Sequence, residues 1–389
     1  MKTAPITLSW GTLQEFYKTL SEQLHQQGIH SLTTGGIACV LYELAQQTKD
    51  CDIIIPEEKA EAVVELLTRT RFGDHSCHLT LKYGAPIDSR WLRGGWISHT
   101  HFGPPEQPLA RIDLFGRAPR LSTPTADENP YYLSRDGVAR MKKTKREKDW
   151  AFTNLLGMQM LKNGDPTGVL HITDTEKLIE VCRTIAIPFA LLDERPILQL
   201  AIDGNPELAR YIKAEKEFWT RLDAVRLKTY ADAWKPYGAA AQNQSKTLLG
   251  MDIKTQNLAL VEIASVHLDK TSIRKVGWEN LVATVKEQTA RILKDIKGGL
   301  LPTPIPFKQT EPERSRSAAV MRTTPIARPL VTEEEYQRML RESLGDELAV
   351  LCNLPYEERI KAIADFQNNF DTPHDKVWPA EGYTGPDLP

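Results

Sequence analysis

The spacing of apolar residues changes along the chain and predicts where helices and strands lie. From residue 10 to residue 28, leucines and aromatic residues recur every three or four positions and Gly28 follows them, which is typical of an amphipathic helix with a glycine stop. Residues 57–70 begin with an acidic turn and are also predicted to be helical. Short strands are predicted at residues 30–34, 51–55 and 109–116, the last from its alternation of apolar and polar positions.

The same patterns divide the chain into two parts of different character. Residues 37–47 look helical, residues 71–108 are irregular with a possible short strand in CHLTLKYG, and almost everything after residue 135 has a helical period. We therefore predict an α+β chain, with a small mixed-sheet domain followed by a largely α-helical region. The predicted parts are the sheet domain (1–134), a helical domain that completes a cleft (135–297), a Pro-rich linker or arm (298–330) and a helical appendage with a tail (331–389).

Composition narrows the class of protein. The 389 residues are 41% hydrophobic and 26% charged, as in ordinary globular proteins, and a net charge of -2 gives no support for a dedicated duplex-binding protein. No apolar run approaches the roughly 18 to 20 residues that span a bilayer, and the N-terminus does not resemble a secretory signal. Five scattered cysteines without a CxxC pair favour a reducing cytoplasm. We expect a cytoplasmic protein with no membrane partner.

Two carboxylates occupy one face of the strand that contains the isoleucine run. Asp50 and Asp52 are two residues apart, so they share a face and raise each other's pKa unless a cation lies between them. Asp113 lies at the centre of the later alternating strand, and it can join them if the two strands are neighbours. Three such carboxylates can hold two divalent ions and drive an in-line displacement at phosphorus.

A glycine pair precedes these aspartates between a strand and a helix. Gly35 and Gly36 allow the backbone to approach a phosphate closely at a helix N-terminus, and Thr33 and Thr34 add hydroxyls. A Gly-Gly turn or an isolated Asp-x-Asp is weak evidence by itself. The ordered set of glycine pair, Asp-x-Asp strand and Asp-centred strand is much more specific.

In this order, GGIACVLYELAQQTKDCDIII and RIDLF resemble the nucleotidyltransferase fold shared with DNA polymerase beta. The nearest likeness is to minimal nucleotidyltransferases of the AbiEii/MenT toxin type, in which a later helix carries basic residues and a K-D or R-x-x-K-x-x-x-D element. VARMKKTKREKDWAFTNLL follows here in the corresponding place. The likeness covers about residues 10 to 165 and does not reach the C-terminal half.

The resemblance implies an NTP-dependent enzyme that uses two Mg²⁺ or Mn²⁺ ions. Asp50 and Asp52 would bind both ions, while Asp113 would bind the catalytic ion and help to deprotonate the attacking hydroxyl. The nucleotide would be held by the residues of the glycine motif and of the basic segment: Thr34, Gly35, Gly36, Lys142, Lys145, Lys148 and Asp149. The relatives imply RNA, a tRNA 3′ end, as acceptor, a role as toxin or phage-defence effector, and a cognate antitoxin or partner protein. A protein hydroxyl and another nucleotide stay open as acceptors.

The basic segment RMKKTKREK, residues 140–148, has two interpretations. On a single helix starting near Ser134, Lys142, Lys145, Arg146 and Asp149 would form one stripe. Most charge runs are solvated faces with i,i+4 pairs. Six cations with one internal anion repel each other, however, and a triphosphate or an RNA backbone would relieve that repulsion.

Other motifs carry less weight. The histidines and cysteine of DHSCH and HTH could bind zinc, but their spacing matches no common structural zinc site. Trp91 and Trp96 could stack on a base, although anchoring a core is the more frequent use of tryptophan. A P-loop and a GxSxG motif are both absent from the sequence. Two rival functions stay open: a catalytically silent nucleotide- or partner-binding module, and a synthase of signalling oligonucleotides.

Overall fold

The computed structural model describes residues 10–121, 123–271, 277–293 and 296–302, with short pieces at 332–334, 337–338 and 341. One six-stranded mixed sheet is surrounded by helices, so the predicted α+β class is confirmed. The strands are β1 (Leu32–Thr34), β2 (Asp50–Ile54), β3 (Arg71–Phe72), β4 (His75–Leu79), β5 (Ile97–Phe102) and β6 (Ala110–Phe115).

The strands lie in the order β1-β2-β6-β5-β4-β3, and only β2 and β6 run parallel. A parallel pair needs a crossover connection, and the long segment between β2 and β6 supplies it. That segment includes β3, β4 and β5, which add to the far side of β6. The crossover therefore brings the Asp-x-Asp strand and the Asp-centred strand side by side.

Thirteen helices accompany the sheet in the described residues. The first part of the chain contains α1 (Trp10–Gln26), α2 (Gly35–Leu41), α3 (Ala60–Arg69) and α4 (Ser89–Arg93). The middle contains α5 (Arg135–Met141), α6 (Glu147–Lys162), α7 (Thr175–Thr184), α8 (Phe189–Glu194) and α9 (Leu198–Ile202). The last part contains α10 (Leu208–Asn243), α11 (Ser245–Leu248), α12 (Ile253–His267) and α13 (Trp278–Ile292). No helix in the described ranges is long and apolar enough to cross a membrane.

The two faces of the sheet join different hydrophobic cores. Cys51 and Ile53 are fully buried in the core that includes α1, α3 and α12, while Ile54, on the opposite face of β2, belongs to the core that includes α5, α6 and the start of α10. Side chains of a strand alternate between its faces, so Asp50 and Asp52 share the face of Ile54. The carboxylates therefore lie on the side of the sheet toward helices α5 and α6.

Helix α10 connects the two cores. It has 36 residues, which corresponds to roughly 54 Å at 1.5 Å per residue. Phe218 and Leu222 are buried in the core with α6, whereas Tyr237 and Ala241 are buried in the core with α1 and α3. Both cores thus draw residues from both sides of residue 134, and the predicted domain boundaries stay predictions.

Three local predictions were wrong or incomplete. The helix expected at residues 37–47 ends at Leu41, and the region expected to be irregular contains β5. The single helix expected from Ser134 is broken: α5 ends at Met141 and α6 begins at Glu147. The hydroxyl of Thr144 accepts a hydrogen bond from the backbone N–H of Arg146 (3.1 Å), and such local side-chain bonds compete with a continuous helix. The predicted linker beyond residue 302 and almost all of the appendage lie outside the described residues.

Two phenylalanines, one buried and one exposed, test whether α10 contributes Phe218 to the hydrophobic core. Phe218 is fully buried and Phe189 is 77% exposed. We expect Phe218→Ala to lower the free energy of unfolding by about 3 to 5 kcal/mol, because it removes buried apolar surface and leaves a cavity. Phe189→Ala should change it by less than about 0.5 kcal/mol. Chemical denaturation followed by tryptophan fluorescence measures both, and equal effects would contradict the assignment of Phe218 to the core.

Candidate active site

The strand register places two of the predicted aspartates opposite each other. Asp52 on β2 pairs with Asp113 on β6 in parallel register, and Asp50 lies two residues earlier on the same face. The sequence predicts that Asp113 joins Asp50 and Asp52 if their strands are neighbours, and β2 and β6 are neighbours. Asp52 and Asp113 are half-buried and Asp50 is exposed, so the three carboxylates extend from the sheet toward solvent.

The electrostatics of Asp52 show an excess of negative charge. Burial raises the pKa of Asp52 to about 8, with further contributions from Asp113 and Asp50, while Lys142 and Arg146 act in the opposite direction. Within the described residues no hydrogen bond or ion pair to the Asp52 carboxylate is formed. A cation beside these carboxylates would stabilise their ionised forms.

Each of the other two carboxylates has one oxygen fixed by a neighbour. Asp50 Oδ1 accepts a hydrogen bond from Thr48 Oγ1 at 2.9 Å, and Asp113 Oδ1 lies 2.7 Å from His99 Nδ1. His99 is the cross-strand neighbour of Asp113, and the edge of the Tyr83 ring packs against its imidazole at 4.5 Å. From the sequence, His99 is only a candidate zinc ligand. His99 and His101 alternate with Ser98 and Thr100, and this period of two is the available signal that His99 lies on a strand.

The glycine pair lies against Asp52 and Thr48. Gly35 has φ +63°, and a Cβ added there would lie 1.6 Å from Asp52 Oδ2. A Cβ on Gly36 would lie 2.2 Å from Thr48 Oγ1, the hydroxyl that holds Asp50. The two glycines are the first residues of α2, and their lack of side chains gives Asp52 and Thr48 room. The side chain of Thr34, just before them, is buried and its hydroxyl faces Met141 Sδ at 3.5 Å.

The basic cluster is a turn organised by one buried anion. Residues 142–146, called the basic turn below, connect α5 to α6. The fully buried carboxylate of Asp149 accepts hydrogen bonds from Thr144 Oγ1 (2.6 Å), Arg146 Nε (2.7 Å) and Lys142 Nζ (3.4 Å). Trp150 Nε1 donates to the Thr144 carbonyl at 3.0 Å. Asp149 therefore fixes the turn between the two helices.

The predicted nucleotide-binding cations differ in position. Lys142 is almost fully buried and, like Arg146, acts on the pKa of Asp52, so the basic turn lies close enough to influence the carboxylates. Lys145 and Lys148 are exposed, the first on the basic turn and the second in the first turn of α6. The structure thus joins Asp50, Asp52, Asp113 and the glycine pair, with Lys142 nearby.

The base-stacking hypothesis for the tryptophans was wrong. Trp91 is fully buried and Trp96 is 4% exposed. Their indole N–H groups donate to the carbonyls of Leu268 (3.3 Å) and Asp269 (2.9 Å), just after α12. Both tryptophans anchor the end of α12 to the segment that contains α4.

The zinc hypothesis gains no support from the structure. Cys77 is fully buried on the opposite face of β4 from His78, so the two side chains cannot bind the same zinc ion. Among the described residues, no three His, Cys, Asp or Glu side chains form a ready metal-ligand group, neither these zinc candidates nor Asp50, Asp52 and Asp113.

Comparison of the chain with protein-family models, curated proteins and solved structures finds no match. The geometry of the site is therefore the structural basis for assigning a function.

The contact between Gly35 and Asp52 can be tested with a matched glycine. Gly28 has φ +69°, similar to Gly35, but a Cβ there would meet nothing within 4 Å. Both Gly→Ala variants should lower the free energy of unfolding by about 1 to 3 kcal/mol, because alanine is strained in the left-handed backbone conformation that both positions adopt. Gly35→Ala should lose about 1 to 3 kcal/mol more, because Asp52 and its surroundings must move. Thermal and chemical unfolding measure the difference, and equal losses in the two variants would exclude the close contact.

The role of Asp149 gives a second prediction. Asp149→Ala leaves Lys142 buried without its carboxylate partner, and removing one member of a buried ion pair typically costs about 3 to 5 kcal/mol. Glu147→Ala, two residues earlier on the same helix, removes an acidic side chain that is 89% exposed and should cost less than about 1 kcal/mol. Urea denaturation of both variants measures this contrast. Similar stabilities would mean that Asp149 does not hold the basic turn.

Proposed function

We propose that this chain is a metal-dependent nucleotidyltransferase that moves a nucleoside monophosphate from an NTP to an acceptor hydroxyl, with an RNA such as a tRNA 3′ end as the preferred acceptor. The observation that carries the proposal is the parallel pairing of Asp52 with Asp113, with Asp50 on the same face. A toxin or phage-defence role, with a cognate antitoxin, belongs to the same proposal through the family likeness.

The donor set suits hard divalent cations. Three carboxylates would contribute oxygen ligands, which Mg²⁺ and Mn²⁺ prefer. Burial, and then Asp113 and Asp50, raise the pKa of Asp52, and a cation bound beside it would lower that pKa again. Asp50, Asp52 and Asp113 would hold the ions. When bound, two such ions stabilise the attacking and the leaving oxygen of a phosphoryl displacement.

The protein's own residues would position the reactants. Asp113 would accept the proton of the attacking hydroxyl on the oxygen that His99 does not hold, because the Nδ1 contact at 2.7 Å fixes the other. Asp52 packs directly against the backbone of Gly35, and the glycine pair would let the triphosphate approach the backbone beside that carboxylate. Lys142 and Arg146, held by Asp149, would face the negative charge of the triphosphate. Exposed Lys145 and Lys148 would contact the NTP or the acceptor from the same side.

Transfer of labelled nucleotide tests the proposal. The purified chain is incubated with Mg²⁺ and each α-labelled NTP, with and without total tRNA, and we expect label in the RNA. Asp52→Asn and Asp113→Asn should lower incorporation at least about a hundredfold, because each removes a charged ligand or the base. Asp74→Asn makes the same change at an exposed aspartate in the turn between β3 and β4 and should leave incorporation unchanged.

The destination of the label separates the alternatives. Label in the protein would indicate a protein-modifying transferase, and new small products would indicate a signalling-oligonucleotide synthase. Nucleotide binding without incorporation into any product would contradict catalysis and favour the silent binding module. Equal incorporation by Asp52→Asn and the unmodified chain would show that the activity does not use these carboxylates.

A further inference from the structure

A cavity lies beside the basic turn, lined by none of the three carboxylates of the candidate site. Its volume is about 30 Å³, and its walls come from α5, α6, α8, α10 and the segment around residue 171. About 10 to 15 Å³ is enough for one water molecule, so the cavity has room for two waters or one small polyatomic anion. Nothing in the proposed transfer reaction uses it.

Three of the five cations that line this cavity are neutralised by carboxylates. Arginine side chains there are saturated by ion pairs and by backbone carbonyls, as expected for structural guanidinium groups. The pairs are Arg120 with Asp223, Arg140 with Asp136 and Glu194, and Arg195 with Glu215. These arginines build the walls and add little net charge.

The remaining two cations are lysines that lack a buried carboxylate partner. Lys143 Nζ donates to the Leu170 carbonyl at 3.1 Å and forms no ion pair within the described residues. Lys216 Nζ forms one ion pair, at 3.7 Å, with a Glu147 carboxylate that is 89% exposed and therefore screened by solvent. Both ammonium groups lie over tryptophan rings, Lys143 at 5.3 Å from the centre of Trp219 and Lys216 at 5.7 Å from that of Trp150. The least compensated positive charge of the cavity belongs to these lysines, Lys143 above all.

One buried nitrogen on the cavity wall lacks a partner. The His171 side chain is fully buried, its Nε2 lies 2.9 Å from Asp136 Oδ1, and its Nδ1 has no hydrogen-bond partner among the described residues. Burial lowers the pKa of His171 to about 4, so the ring is neutral at neutral pH. With the proton on Nε2 and donated to Asp136, Nδ1 offers a lone pair and needs a donor.

The state of Lys143 also favours an incoming anion. Burial, together with the charges of Arg140 and Arg195, lowers its pKa to about 7, with Glu215 and Glu194 acting in the opposite direction. A negative charge beside the ammonium group would restore the charged form. Binding of an anion near neutral pH would therefore be accompanied by proton uptake.

We propose that this cavity binds a phosphate group that carries one O–H, either free inorganic phosphate or the end of a phosphomonoester bound as its monoanion. The anionic oxygens would accept hydrogen bonds from Lys143 and Lys216, and the phosphate O–H would donate to Nδ1 of His171. Sulfate has similar size and charge but carries no O–H at neutral pH, so it leaves the Nδ1 acceptor unpartnered. The site is separate from the three aspartates and does not depend on the proposed transfer reaction.

Calorimetric titration of the full chain tests this site. EDTA in the buffer removes metal-dependent binding at the carboxylates. We expect saturable binding of one inorganic phosphate per chain, at least about tenfold tighter than sulfate because a buried acceptor is left unsatisfied with sulfate. Titration in buffers of different ionisation enthalpy should show proton uptake. No saturable phosphate binding up to about 10 mM, or equal affinities for phosphate and sulfate, would overturn the proposal.

Two variants and a control assign the binding to this cavity. Lys143→Met should weaken phosphate at least about tenfold, whereas Lys213→Ala, at an exposed lysine on the same helix as Lys216, should not. His171→Gln keeps a donor near Asp136 and removes the Nδ1 acceptor, so it should abolish the preference for phosphate while leaving sulfate affinity nearly unchanged. Phosphate binding unaffected by Lys143→Met, or a preference retained in His171→Gln, would overturn the assignment.

Competition identifies the source of the phosphate group. Displacement of phosphate by adenosine 5′-monophosphate would support a phosphomonoester ligand, and its failure with phosphate still bound would support the free ion. Circular dichroism of each variant before titration confirms that it is folded. If Lys143→Met is unfolded, the phosphate-to-sulfate ratio in the unmodified chain and in His171→Gln decides the proposal.

Discussion

Repulsion among Asp50, Asp52 and Asp113 is the constraint on which the candidate site depends. The parallel pairing of β2 with β6 brings Asp52 opposite Asp113. Two negative charges on paired residues repel each other, and partial burial reduces the screening by water. Thr48 and His99 each hold one carboxylate oxygen, and Gly35 leaves space for another. Such an arrangement is unfavourable for a purely structural strand pair and suits a site that receives cations.

The complementary positive charge is held in place by another carboxylate, which is fully buried. Asp149 lies at the start of α6 and fixes Lys142, Thr144 and Arg146 in the basic turn. Because the anion is fully buried, the turn keeps its shape without a ligand. Lys143, the next residue along from Lys142, contacts the Leu170 carbonyl in the cavity wall. Adjacent lysines thus belong to two separate environments.

The sequence predicted those parts of the site that depend on strand alternation. Asp50 and Asp52 had to share a face, and Asp113 could join them once β2 and β6 were neighbours. Features that depend on distant contacts could not be derived in this way. The helical period continues through residues 142–146, and only the bonds to Asp149 show that the helix breaks there. His99 became part of the site because β5 pairs with β6, and Trp91 became a core residue because α12 covers it.

The path of α10 has a consequence for the order in which the chain folds during synthesis. Tyr237, Ala241 and the residues of α12 complete the core that α1 and α3 begin, although they lie more than a hundred residues later than β6. Domains usually fold as units while the ribosome is still adding residues behind them. Here α1 and α3 cover only part of the sheet face behind the aspartates until α12 has emerged, so the core of the N-terminal strands cannot close before the C-terminal helices are synthesised.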